Sequence, residues 1–432
     1  MAVSLTSATK KITPKPVYSG GRKQAVKQTV RECIRSIEKR EPEVRAFVQF
    51  DPEGALAQAR ALDALAPAQR GPLHGMPVAI KEVFDVKGLK CAWGTPIHAN
   101  RMPETDAWVV AALREAGAVI MGTTVSTEYA LATTGPTRNP WDSSRTPGAS
   151  SSGPAAAVGA GMVPVALGTQ TIGSIIRPAT YCGVFGFKPS WGRINDTGAM
   201  PLSKPLDHVG ILAEEIKVLH AVYSVLRQGP DIGERTGLEM PDGLKVHVIT
   251  EIGDEPLSLA TLSAIERAAD VISSLGHEVI RTTLPRAFAT DDKLLKIILC
   301  RDMARNHGHD RDHSGDQMSE RIRSMIDKGR GISNAEYAEA REQADEFSTH
   351  LENIIGTGGL FLTAATTDVA PLSTQGTGSR SPQWLWTLAG MPAITVPCGN
   401  VDGLPIGVQL VGTRENDALV LSAAEHLSEA VS

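Results

Sequence analysis

An α/β fold is what this sequence predicts, and three patterns predict it. Pro77 to Val86 reads as a strand, Thr105 to Ala116 as a helix closed by Gly117, and Ala118 to Met121 as a second strand, the β-α-β alternation of a mostly parallel sheet. The alternation returns as Lys245 to Thr250, then Leu259 to Leu275 ahead of Gly276, then His277 to Arg281. Apolar segments at Leu360 to Thr363, Ala393 to Val396 and Val408 to Val411 carry the C-terminus back toward the first sheet.

Residues 1–23 mix Ser, Thr, Pro and Gly with Lys and read as a flexible N-terminal arm, so the fold is expected to start at residue 24. Val26, Val30, Ile34 and Ile37 recur at helical spacing and predict a helix ending near Arg40, ahead of Pro42. Between Gly135 and Gly192 the chain is dense in Gly, Ser, Thr and Pro. Within it Ala155 to Leu167 is Ala/Val-rich and long enough for a buried helix. Residues 216–355 combine the second strand–helix–strand unit with polar helices rich in Arg, Glu and Asp, a more exposed and more variable half. No internal repeat is visible.

The 432 residues suffice for a large core, with 42% apolar, 21% charged and only 4% aromatic residues. A formal net charge of −5 supplies no basic excess for a phosphate backbone, so no nucleic-acid partner is expected. No run of 18 apolar residues exists and the polar N-terminus lacks an apolar leader core, which predicts a cytoplasmic protein with no membrane partner. Cys33, Cys91, Cys182, Cys300 and Cys398 are scattered and unpaired in spacing, which fits a reducing compartment rather than a disulfide framework or a zinc ribbon. Cys182 and Cys398 lie in apolar surroundings and read as buried fillers.

Two segments could carry chemistry. Asn139 to Arg193 contains a Ser-rich turn opening the expected helix and a second Gly-Ser turn after it. Such turns hold backbone N–H groups in concave arrays that stabilise an anion, and they also serve as plain capping turns. Earlier, Gly75 to Val83 places Lys81 in an otherwise apolar strand. An edge-strand lysine would face solvent; a buried one would lose its proton near neutrality and act as a base.

Taken together these segments resemble the amidase signature family, from about Arg31 to Val431. The lysine motif is GMPVAIKEVFDVKG, the Gly/Ser-rich motif PGASSSGP, the nucleophile loop GTQTIGSIIRPA, and the closing segment WTLAGMPAITVPCGNVDGLPIGVQLVG. The resemblance implies one domain over residues 24–432 with a central mixed β-sheet surrounded by helices. Its core motifs would span 70–215, a variable region 216–355, and a return to the sheet 356–432. It implies Ser174 as nucleophile, Ser150 as the bridging serine after a cis peptide bond, and Lys81 as base. A serine hydroxyl needs such a base before it can attack a carbonyl. Thr171, Ile172, Gly173 and Ser174 match the family's oxyanion-hole loop. Three positions depart from the common pattern: Ala149 and Ile172, where Gly is frequent, and Gln170, where many members carry Asp.

Ile175-Ile176-Arg177 is similar to the malonamidase branch, with arginine three residues after the nucleophile. Arg177 is therefore a candidate for binding a substrate carboxylate through its planar fork, or else a structural residue paired with Asp207. The activity implied is hydrolysis of the carbon–nitrogen bond of a small-molecule amide by an acyl-enzyme, without cofactor or metal, in a homodimer. Two other readings are open: an amidotransferase A-type subunit releasing ammonia in a complex, or an aryl or acyl amidase or esterase. A non-catalytic scaffold is disfavoured by the presence of Lys81, Ser150 and Ser174 together. His307, His309, Asp310, Asp312, His313 and Asp316 have metal-ligand chemistry but no recognised ligand spacing, and read as a solvated charged face. His208 is not needed as a base, and Trp384 and Trp386 could line a cleft or the core.

Overall fold

The computed structural model describes residues 25–131, 134–229, 243–253, 255–285, 292–356 and 358–431. The expected arm at 1–23 lies outside them. Eleven strands form one mixed sheet in the order β1-β3-β2-β4-β6-β5-β10-β11-β9-β7-β8. The N-terminal strands are β1 (Phe47–Phe50), β2 (Pro77–Lys81), β3 (Val119–Thr124), β4 (Val165–Gln170), β5 (Phe185–Lys188) and β6 (His208–Ala213). β7 (Lys245–Ile249) and β8 (Glu278–Arg281) come from the polar half, and β9 (Leu360–Ala364), β10 (Ala393–Val401) and β11 (Leu404–Gly412) from the C-terminus. β2 runs parallel to both neighbours, β3 and β4, whereas β4, β6, β5, β10, β11 and β9 alternate in direction. The polar half is thus stitched into the sheet through β7, parallel to β9.

Helices cover both faces. α1 (Val26–Val44), α2 (Pro52–Asp63), α4 (Ser152–Gly159) and α5 (Ile176–Cys182) pack with Ala79, Val119, Met121, Ala166 and Leu212 on one face. On the other, α3 (Trp108–Glu115), α6 (Ile216–Leu226) and α7 (Leu259–Ser274) pack with Val78, Ile80, Ile120, Val165, Leu167 and Ile211. Adjacent residues of β2 and β4 fall in opposite layers because successive strand side chains point to opposite faces. α8 (Lys293–Ser314), α9 (Glu320–Gly331) and α10 (Asn334–Ile355) form the helical part of 216–355, and α11 (Ser381–Leu388) and α12 (Asp417–Val431) flank the C-terminal strands.

Two element expectations are corrected. α1 continues through Pro42 to Val44, where Arg45 ends it at φ 54°. A proline in the last turn removes one backbone donor without breaking the turns before it. Ala155 to Leu167 is not one helix: α4 ends at Gly159, Gly161 turns at φ 66°, Pro164 follows, and Val165 opens β4. The apolar run hides a helix-to-strand switch that the glycines and proline impose.

Under α5 the sheet surface is stripped of side chains. A Cβ on Gly210 of β6 would sit 2.4 Å from Ile175 Cγ1, and one on Gly186 of β5 2.4 Å from Ala179 Cβ. These glycines let the start of α5, and the loop before it, press against the sheet.

Candidate active site

Lys81 is the last residue of β2, a strand in the interior of the sheet, so the solvent-facing edge lysine is excluded. Two residues after Ala79, it points to the face covered by α4 and α5 and is fully buried. Its Nζ donates to Ser150 Oγ at 2.8 Å and to Thr169 Oγ1 at 2.8 Å. Loss of hydration pushes its pKa down to about 7, against the opposing pull of the Asp207 and Glu82 carboxylates. Glu82, buried beside it, is itself raised to about 7 by burial.

Ser150 lies in the turn before α4, and the Ala149–Ser150 peptide bond is cis. Ser151 takes the N-cap position of α4 but makes no side-chain cap bond; its hydroxyl donates to the Thr169 carbonyl and accepts from the Thr169 N–H, tying the serine turn to β4. The capping interpretation of this turn is replaced by a cross-link to the sheet.

The loop 171–175 joins β4 to α5. Gln170 braces it: Oε1 accepts from the N–H groups of Ile175 (2.8 Å) and Ile176 (3.1 Å), and Nε2 donates to Thr387 Oγ1, which in turn donates to the Ile172 carbonyl. The amide supplies an acceptor to the free N–H groups at the start of α5 and a donor toward α11. Thr171 Oγ1 donates to Asp207 at 2.7 Å, and the same carboxylate accepts from the N–H groups of Leu202 and Ser203. Burial raises Asp207 to about 7. α11 closes over Gly173, where a Cβ would lie 2.7 Å from Gln383 Oε1.

Ser174 is half-buried in this loop. Among the described residues its hydroxyl forms no hydrogen bond with Ser150, and the N–H groups of Ile172, Gly173 and Ser174 donate to no protein acceptor. Two cavities border the loop. One of about 270 Å³ is lined by Thr169, Thr171, Asp207 and His208; the other, of about 420 Å³, by Ile172, Arg177, Arg380 and Trp384.

Arg177, in the first turn of α5, is buried and faces backbone. Nη1 donates to Gly378 O (2.8 Å) and Ser379 O, and Nη2 to Ala149 O (2.9 Å), the carbonyl of the cis peptide unit. Asp207 is not its partner. His208 lies on β6 with Nδ1 against the Leu206 carbonyl, and burial holds its pKa well below the ordinary range. Trp386 belongs to the core against Phe361, while Trp384 reaches the larger cavity. All five cysteines are free and buried.

The histidine–aspartate cluster is only partly a solvated face. Asp310 accepts from Tyr129 Oη and lies 2.9 Å from His98 Nε2, and the buried His307 bonds to the Pro201 carbonyl. Asp312 pairs with Arg330 outside. Among the described residues no group of His, Cys, Asp or Glu is arranged to hold a metal ion, and none of their helices is long and apolar enough to cross a membrane.

Sequence reading misses the work of Gln170, Thr169 and Asp207, and overlooks Arg380. Their partners are remote in the chain, and only the polar stretch Thr377 to Ser381 gives any signal.

The amidase family description matches residues 28–421. The chain belongs to the amidase family. The glutamyl-tRNA(Gln) amidotransferase A-type subunit of Chloroflexus aurantiacus is 31% identical to this family member, covering 91% of each chain. A solved amidase structure is 28% identical with a TM-score of 0.83, covering 95% of this chain and 97% of its own. The native peptide amidase of Stenotrophomonas maltophilia is 25% identical with a TM-score of 0.81, covering 94% of each chain.

Proposed function

We propose that this amidase-family protein cleaves an amide carbon–nitrogen bond through an acyl-enzyme on Ser174. The observation that carries the reading is the buried contact of Lys81 Nζ with Ser150 Oγ at 2.8 Å. With its pKa near 7, Lys81 supplies a neutral amine at neutral pH. Lys81 takes the proton of Ser150, Ser150 takes that of Ser174, and Ser174 Oγ bonds to the amide carbon. The Ser150–Ser174 link is the one the substrate must draw tight, since catalytic hydrogen bonds are often long without ligand. The unengaged N–H groups of Ile172, Gly173 and Ser174, with Thr171 anchoring the loop, meet the developing oxyanion. The proton returns through Ser150 to the leaving nitrogen, the carbon–nitrogen bond breaks, and water then cleaves the ester by the same relay.

The acyl group follows from weaker support. Arg177 three residues after Ser174 resembles the malonamidase branch, and its cavity favours a carboxylate-bearing small amide such as a malonamate-like substrate. A second reading, an ammonia-releasing amidotransferase component, is favoured by the curated relatives, which carry that name at 31% identity. Gln170, at a position where such components usually carry Asp, supports a free-standing amidohydrolase, and a homodimer goes with it.

A fluorophosphonate probe tests the shared chemistry: it is expected to label wild-type protein and not Ser174→Ala. Labelling that survives this substitution would overturn the reading. Amide turnover by the purified chain, with glutamine inert, separates the hydrolase from the amidotransferase reading. Glutamine cleavage appearing only with added partner chains would reverse that preference, and light scattering checks the dimer.

A further inference from the structure

We propose that Arg380 is the anion-binding residue of the site, selecting amides that carry a carboxylate away from the scissile bond. The inference rests on the acyl-transfer reading only for the bond cleaved, not for the ligand bound. Arg380 immediately precedes α11, the helix whose Thr387 and Gln383 press on Ile172 and Gly173. That packing fixes Arg380 relative to the nucleophile loop, and Arg380, Arg177 and Ile172 line the same cavity of about 420 Å³. The volume suits a small aliphatic amide acid rather than a polymer end.

Arg177, Lys296, Arg321 and Arg380 line this cavity together with Glu255 and Asp292; Arg321 has an interaction of its own, which leaves Arg380 as the cation to take an anion. Asp292 is already held by Lys296 at 2.6 Å. The Arg380 guanidinium forms no hydrogen bond or ion pair among the described residues, although the residue is half-buried. Burial and the neighbouring Arg321 both depress its pKa, and Asp292 only partly offsets them. A guanidinium without a partner in a partly desolvated pocket is stabilised by a carboxylate placed between it and the loop.

Arg177 cannot do this as readily. Its terminal nitrogens serve three backbone carbonyls, and only its buried Nε is without an acceptor. Arg177 thus forms the wall of the cavity and Arg380 its free fork. An ammonium group beside the amide acid would be repelled, so glutamine is a poorer ligand than glutaramate, which is the same molecule without that group.

Calorimetric binding to Ser174→Ala protein tests this without turnover. The ligands are malonamate, succinamate, glutaramate and adipamate, with glutamine and pentanamide, in which a methyl group replaces the glutaramate carboxylate. At least one amide acid is expected to bind more tightly than pentanamide. Adding Arg380→Gln should weaken that acid about tenfold or more, as for a lost charge-assisted pair, while Arg380→Lys recovers part of it. No binding of any amide acid at millimolar concentration, or an equal effect of Arg380→Gln on acid and pentanamide, overturns the proposal. Fluorophosphonate labelling of Ser174 in the wild-type protein is read alongside. If Ser174 is never labelled yet acid binding depends on Arg380, the acyl-transfer reading falls and this site stands; labelling without that dependence gives the reverse.

Discussion

Lys81 Nζ and Ser150 Oγ meet at 2.8 Å with both side chains closed off from solvent, 69 residues apart in the chain. The contact exists because β2 ends where the turn before α4 crosses the same sheet face, and Ser151 pins that turn to Thr169. An ammonium would be costly there without a full set of acceptors, which is why the amine is poised to be neutral.

Replacing Lys81 with Met keeps the apolar stem and removes the base. Turnover of any good amide substrate is expected to fall about 10²–10⁴-fold, the usual contribution of a positioned general base. Ser150→Ala should also slow turnover, leaving more residual activity than Lys81→Met. Steady-state rates for both variants, with circular dichroism to show intact folding, check this.

The pH profile carries a definite sign. Lys81 has a depressed pKa of about 7, so its basic form dominates above that pH and is lost below it. kcat/KM should rise from acid through about pH 7 and then level. Asp207, raised to about 7 and accepting three hydrogen bonds around the Thr171 loop, loses its charge over the same acid range and moves activity in the same direction. Asp207→Asn should therefore retain the Lys81 limb at reduced rate. A profile flat from pH 5 to 9 with chemistry rate-limiting would contradict the base assignment.

Gln170→Ala strips an acceptor from Ile175 and Ile176 N–H and a donor from Thr387 in a buried place. Unsatisfied buried groups of this kind cost about 1–3 kcal/mol each. The melting temperature should drop, and kcat should fall more than KM changes because the loop carrying Ser174 loses its brace. Thermal unfolding alongside kinetics will show whether both move.

Arg177→Ala tests two uses of one side chain. Its bonds to Ala149, Gly378 and Ser379 carbonyls make it a positioning residue for the Ser150 turn, so neutral and carboxylated amides should lose kcat/KM alike. A loss confined to carboxylated amides would instead establish the direct substrate contact expected from the sequence. Arg177→Lys should rescue little, since one ammonium cannot span three carbonyls.

The strand and helix positions near the site are legible because their patterns are local. The β-α-β periodicity around 77–124 needs no distant partner to be read, and the glycine-serine turns announce themselves by composition. The mismatch at 155–167 arises where a buried helix and a buried strand have the same apolar composition, and only Gly159, Gly161 and Pro164 mark the switch. The histidine cluster is misread in part because period alone does not say that His307 turns inward toward the Pro201 carbonyl.

The amino-acid order alone determined the α/β class, the family, and the short motifs holding Lys81, Ser150 and Ser174, since each is a run of adjacent residues whose chemistry travels with it. Tertiary structure decided what those groups are worth. Interior placement of β2 removed water from Lys81, Gln170 found its partner on α11, and Arg380 came to share a cavity with Arg177. Protonation and charge recognition depend on solvent exclusion and on distances between remote segments, and neither exists until the sheet has assembled.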